Sequence, residues 1–176
     1  MTNSKQLFFQ ELKDEYRVEF ERSDDLEGKS GRLITVCGIF IPLLFGFSSV
    51  IIDKGDPTHI MILPLAILLV ISLSLAVACI YFCTSALRVR DYTIVFPSDS
   101  FLDSHGELNS KEISEFGERN EEGFYDEMIE EYLLTNDQNF KLNNQKAQKL
   151  KIAQDLFIGG LAIVPVLVII SLLFFL

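Results

Sequence analysis

Three long runs without a charged side chain constrain this chain more than any other feature. Leu33–Ile52 and Ile60–Leu87 contain no Asp, Glu, Lys or Arg, and Ile152–Leu176 contains one, Asp155, near its start. About 20 helical residues cross a bilayer core. The first run matches that length, and the second is longer and predicts a tilted helix. Backbone groups in lipid must be satisfied within the segment, which selects helices. The expectation is an all-α membrane protein with three transmembrane helices. Buried core helices of a soluble protein are the competing explanation. The remaining chain is too short to cover so much apolar surface.

Charge fills the gaps between the runs. The 176 residues are 49% hydrophobic yet carry a net charge of -10. Positive residues at the helix ends predict orientation. Lys29 and Arg32 precede the first run, Arg88 and Arg90 follow the second, and Lys146, Lys149 and Lys151 precede the third. The outer hairpin "DKGDPTH" has one Lys. The expected order is a cytosolic amphipathic helix (1–32), a first span (33–52), an outer loop (53–59) and a second span (60–87). A cytosolic loop plus long helix (88–151) and a third span (152–176) follow. The N-terminus is expected in the cytoplasm of an inner-membrane protein, and the C-terminus outside. The first 30 residues lack the short apolar core of a signal peptide, so the first run is expected to be a retained helix.

In the first cytosolic piece, Phe8, Leu12, Tyr16 and Phe20 recur at four-residue steps, a helical face. Gly28 and Gly31 permit a bend before the first span. In the second piece, "DYTIVFP" has strand character and "SDSFLDSHGELNS" reads as a loop. Asn109 and Glu112 have capping-box spacing. Tyr125, Ile129, Leu133, Asn136, Phe140, Asn143, Ala147 and Leu150 then step by threes and fours. The period continues into the third run, which predicts one helix from about Glu122 to beyond Leu173. Its collar at the cytosolic surface would be Arg88, Arg90, Lys146, Lys149 and Lys151, and it could give at Gly159, Gly160 and Pro165. The acidic half, ten Asp/Glu against two Lys/Arg from Glu107 to Glu131, is either a solvated face or a surface for a neighbouring subunit or partner.

Small residues form rows within the spans. Gly38, Pro42 and Gly46 align on the first, and Ser72, Ala76, Cys79, Cys83 and Ala86 follow a 4-3 alternation on the second. Small residues let apolar helices approach closely. The rows predict packing within a protomer and between the subunits of a homo-oligomer. Any pore would draw its polar lining from Ser72, Ser48 and Ser49. Cys37, Cys79 and Cys83 fall inside the spans and read as packing residues.

Chemistry is sparse. No phosphate loop, dinucleotide fingerprint, zinc-protease or nucleophile-elbow motif occurs. His59 sits in the outer loop. His105, between Asp103 and Glu107, is one ligand group without a second. No catalytic residue, metal site or cofactor is therefore assigned. An acidic cytosolic part argues against direct nucleic-acid binding. Span interiors without ionisable groups argue against an ion-coupled transporter.

The order of these features resembles the small transmembrane effectors of prokaryotic antiviral systems, the Pycsar type and related two-helix effectors. Asp25, Lys29 and Ser30 before the first span, and Lys146, Ala147 and Lys149 before the last, carry the resemblance. A second similarity, in layout alone, is to the membrane proteins that accompany RNA-targeting CRISPR systems. The resemblance implies an oligomer that permeabilises or depolarises the inner membrane when triggered. The trigger would be a cytosolic protein partner or a nucleotide second messenger, for which Lys141, Lys146, Arg88 and Arg90 are the available cations. The alternative reading is a membrane scaffold that tethers a cytosolic partner through its acidic helical arm.

Overall fold

The structure is a computed structural model describing residues 2–54, 62–89 and 121–175; side chains at 2–3, 50–54, 121–122 and 174–175 lie outside that description. Three helices account for it: α1 (Thr2–Lys54), α2 (Ile62–Leu87) and α3 (Glu121–Phe175). No strand occurs among the described residues. All three helices are long and apolar enough to cross a membrane. The expected strand "DYTIVFP", the 98–110 loop, the Asn109 cap, His59 and His105 lie outside the described residues.

α2 follows from composition: 26 residues with no charge and no Gly, and its one proline, Pro64, stands in the first turn, where a missing N–H costs no helical bond. At 1.5 Å per residue it is roughly 39 Å long. α1 and α3 each fuse a polar segment to an apolar one. α1 is continuous through Gly28 and Gly31, so the expected bend is not a helix break. Each helix also contains one proline, Pro42 in α1 and Pro165 in α3, without ending there.

The chain divides into two compact units: residues 1–24 with 90–144, and residues 25–89 with 145–176. In unit 1, α1 and α3 run parallel. Lys5 pairs with Asp126 at 2.8 Å, Asn136 bonds the Leu12 carbonyl and Asn143 bonds the Glu19 carbonyl, so partner numbers rise together. Their N-terminal turns are joined by aromatic edges. Phe9 meets Tyr125 and Tyr132 at centroid distances of 5.8 and 5.4 Å, and Tyr16 meets Tyr132 at 5.7 Å. Such pairs contribute ~1 kcal/mol each beyond area burial.

Unit 2 packs α2 antiparallel to α3. Ser72 bonds the Gly160 carbonyl while Lys149 bonds the Ser85 carbonyl, so one number rises as the other falls. Its core is Cys37, Cys79, Cys83, Leu150 and Ala153, extended by Leu33, Ile34, Phe82 and Phe157. A second cluster joins Leu65 to Leu167.

A seven-residue step runs through all three helices. Ser23, Ser30, Cys37 and Leu44 are buried on α1; Leu65, Ser72, Cys79 and Ala86 on α2; Asn139, Lys146, Ala153, Gly160 and Leu167 on α3. A sustained seven-residue step keeps one seam facing its partner in a left-handed supercoil. Most of these residues are small or polar, so the seams bring backbones close rather than interlocking large side chains.

Candidate functional site

The unit 1 seam is polar. Thr135, Asn136, Asn139 and Asn143 are buried on α3. Asn136 Nδ2 donates to the Leu12 carbonyl at 3.0 Å. One heptad later, Asn143 Nδ2 donates to the Glu19 carbonyl and to Glu19 Oε2, both at 2.7 Å. Glu19 also pairs with Arg22, whose Nη2 donates to Asn144 Oδ1 at 2.9 Å. The Arg22 guanidinium lies 5.7 Å from the centre of the Phe140 ring, in cation–π range. Two asparagines in equivalent heptad positions fix the register of α1 against α3, because a slip would strand both buried amides. Asn136 Oδ1 and Asn143 Oδ1 remain buried without a donor among the described residues. Burial, and then the neighbouring Tyr16, push the Tyr132 phenol above its usual range.

This seam corrects the sequence expectation. Asn136, Asn143 and Leu150 face inward as expected, but Leu133 and Phe140 are 46% and 50% exposed. Phe8 and Phe20 are likewise exposed, while Leu12 is buried. Hydrophobic periodicity selected the apolar residues, whereas beyond the aromatic edges of the first turns the helices also join through polar ones. Strict four-residue steps also drift around a helix, and the actual α1 seam alternates fours and threes through Leu12, Tyr16, Glu19 and Ser23.

Beside the seam lies an open acidic groove of about 790 Å³. Glu11, Asp14, Glu15 and Glu19 line it from α1 and Asp137 from α3, with Val18, Leu133, Phe140 and Asn136. Asp14 pairs with Arg17, and Asp137 with Lys141. Glu11 and Glu15 have no partner among the described residues.

In unit 2 the predicted collar separates. Lys146 is 3% exposed and its Nζ lies 2.7 Å from Glu27 Oε1, so it is a buried ion-pair member rather than a surface cation. Lys149 Nζ donates to the Ser85 carbonyl at 3.2 Å. Lys151 and Arg88 are exposed, and Arg90 lies outside the described residues. Hydropathy could not find the role of Lys146. The signal available was its seven-residue spacing from Asn139 and Ala153.

The two small-residue rows also separate. Ser72, Ala76, Cys79, Cys83 and Ala86 are all buried inside the protomer. Cys37 and Cys79 bring their Sγ atoms to 3.6 Å, both as free thiols. Gly38, Pro42 and Gly46 are exposed, and a Cβ built at either glycine meets no atom within 4 Å. The expected hinge includes a close approach of α3 to α2. A Cβ at Gly160 would lie 3.5 Å from both Leu75 Cβ and the Ser72 carbonyl, while Gly159 and Pro165 sit within unbroken α3. Each serine offered for a pore lining donates its hydroxyl to a backbone carbonyl: Ser72 Oγ to Gly160, Ser48 Oγ to Phe45 and Ser49 Oγ to Gly46.

Among the described residues no group of three or more His, Cys, Asp or Glu side chains is placed to hold a metal ion. Among the described residues the arrangement is all-helical, with three span-length helices, a close-packed small-residue seam in unit 2 and an acidic helix pair in unit 1. No family model, curated protein or solved structure matches the chain.

Proposed function

We propose that the chain is a multi-pass membrane effector that assembles into a homo-oligomer and, when triggered, permeabilises or depolarises the inner membrane as part of an antiviral defence. The reading is non-catalytic. Its orientation is that of the positive residues, with unit 1 in the cytosol. One observation carries it. Only 17%, 22% and 17% of the most apolar windows of α1, α2 and α3 are buried within the protomer. Most of each span is thus left for lipid or for other subunits. On α1 that free surface includes Gly38, Pro42 and Gly46, which suit close helix approach. Expression with a voltage-sensitive or membrane-impermeant dye tests the proposal. Loss of membrane potential, or dye entry, during phage challenge is the expected result. Normal potential and growth with the genetic neighbours present would overturn it.

Charge favours a second reading, a membrane-held scaffold. Unit 1 holds 20 of the 25 acidic residues and 8 of the 15 basic ones. A scaffold would present that acidic surface to a cytosolic partner. Charge reversal at Glu121, Glu122, Glu130 and Glu131 should then abolish partner recovery in a pull-down.

A further inference from the structure

The acidic groove of unit 1 has features that a merely solvated helix face does not need. Glu11 and Glu15 stand one turn apart on α1, where like charges repel and destabilise the helix. Neither has a cationic partner among the described residues. Asn136, 8% exposed, lines the same groove and leaves its Oδ1 buried without a donor. Apolar Leu133 and Phe140 stand exposed between the acids. Repelling carboxylates and half-exposed apolar surface are together met by one kind of ligand.

We propose that this groove receives a basic amphipathic segment of a partner protein, with Arg or Lys groups set between Glu11, Glu15 and Asp137 and an apolar side chain against Leu133 and Phe140. Charge decides between occupants. A second copy would bring another unit with 20 acidic and 8 basic residues. The chain's own 90–120 segment carries seven acidic and three basic residues. Both are repelled. A small polycation would satisfy the carboxylates and leave Leu133 and Phe140 bare. A guanidinium or ammonium on an amphipathic segment meets the acids while the segment's apolar side chain covers the apolar surface. The proposal deepens the reading of unit 1 as the partner-receiving part. It can fail while membrane depolarisation stands, because the two are read by different measurements.

The test uses full-length protein in nanodiscs of phosphatidylcholine, with empty nanodiscs subtracted. The probe is a fluorescein-labelled helix-forming peptide with Arg and Lys along one face and two Leu one turn apart. A control peptide of equal charge has both Leu replaced by Ser. The expected result is that the combined variant Glu11→Gln, Glu15→Gln and Asp137→Asn weakens the Leu peptide at least tenfold. The combined variant Glu21→Gln, Glu130→Gln and Glu131→Gln removes the same charge outside the groove and should change it less than twofold. The Ser control and Leu133→Ser should each bind several-fold more weakly. A photo-crosslinking residue in place of one Leu should label Leu133 or Phe140 in the unmodified protein, which does not depend on any variant folding. Equal loss from both charge variants, equal binding of the Ser control, or displacement by spermine at matched charge would overturn the proposal in favour of diffuse cation attraction. A groove variant that changes the oligomer mass without peptide present would overturn it in favour of a second copy.

Discussion

At the scale of single residues, polar side chains specify what apolar ones leave open. Asn143 is fully buried and donates to Glu19 at 2.7 Å. Asn143→Ala should lower the stability of unit 1 by about 2 kcal/mol, since it removes a charge-assisted bond and opens a small cavity. Thermal melting followed by circular dichroism reads this, and an unchanged melt would deny the asparagine its part in holding the register. Lys146 is more exacting. Removing one member of a buried ion pair leaves an uncompensated charge, while replacing both is often near neutral. The Glu27 side chain is 46% exposed, so water softens the loss. Glu27→Gln should therefore cost about 1–3 kcal/mol, below the full buried-pair cost. The double change Glu27→Gln with Lys146→Met should recover most of it. Recovery in the double variant separates a pairing role from mere sensitivity of the site.

Tyr132 sets a pH limit of the same local kind. Its folded phenol is raised by burial and then by Tyr16, while a tyrosine in the unfolded chain ionises near ~10. The folded state therefore holds the proton to higher pH. This contribution is complete below about 10 and is lost as pH rises through the folded value. Tyr132→Phe keeps the ring edges toward Phe9 and Tyr16 and removes the titration. The fall in melting temperature between neutral and strongly alkaline pH should be smaller in the variant. An identical fall in both would assign the alkaline loss to other groups.

At the scale of the helix, the seams explain what was legible. Three uncharged runs show themselves as span-length helices because length and absence of charge are the whole requirement. The single α3 from Glu121 to Phe175 was readable because nothing in the sequence interrupts the helical period before Gly159, and Pro165 lies inside the helix without ending it. Faces were harder. The α2 row of Ser72, Ala76, Cys79, Cys83 and Ala86 was visible as small residues in a field of large ones. The α3 seam, which passes from Asn139 and Lys146 through Ala153 and Gly160 to Leu167, mixes polar, small and large side chains, so no hydropathy scale groups it. Gly160 shows the consequence, since a glycine inside a helix suggests a weak point and here marks a contact. A Cβ at Gly160 reaches ordinary van der Waals distance of Leu75 and Ser72, with 3.5 Å the shortest approach. Gly160→Ala should consequently be neutral or raise stability, given that alanine favours helix over glycine by about 1 kcal/mol. Gly160→Leu should lower it and disturb the α2–α3 seam. Melting of both variants in detergent checks this, and a destabilising alanine would restore the hinge.

For the whole molecule, the two small-residue rows make opposite predictions, and the contrast tests the proposed assembly. Ala76 is 1% exposed, so Ala76→Leu overfills the protomer and should lower its melting temperature. A Cβ at Gly38 or Gly46 meets nothing within 4 Å, so Gly38→Leu and Gly46→Leu should leave the protomer as stable as before or more so, leucine being the better helix former. If α1 meets another subunit along this row, the same substitutions hold the helices apart. The mass of the detergent-solubilised complex should then fall, and triggered depolarisation should fall with it, while helix content stays constant. Loss of assembly at constant protomer stability is a signature that misfolding cannot imitate. Unchanged mass in both glycine variants would remove this row as a subunit contact, and the free surface of α1 would then belong to lipid.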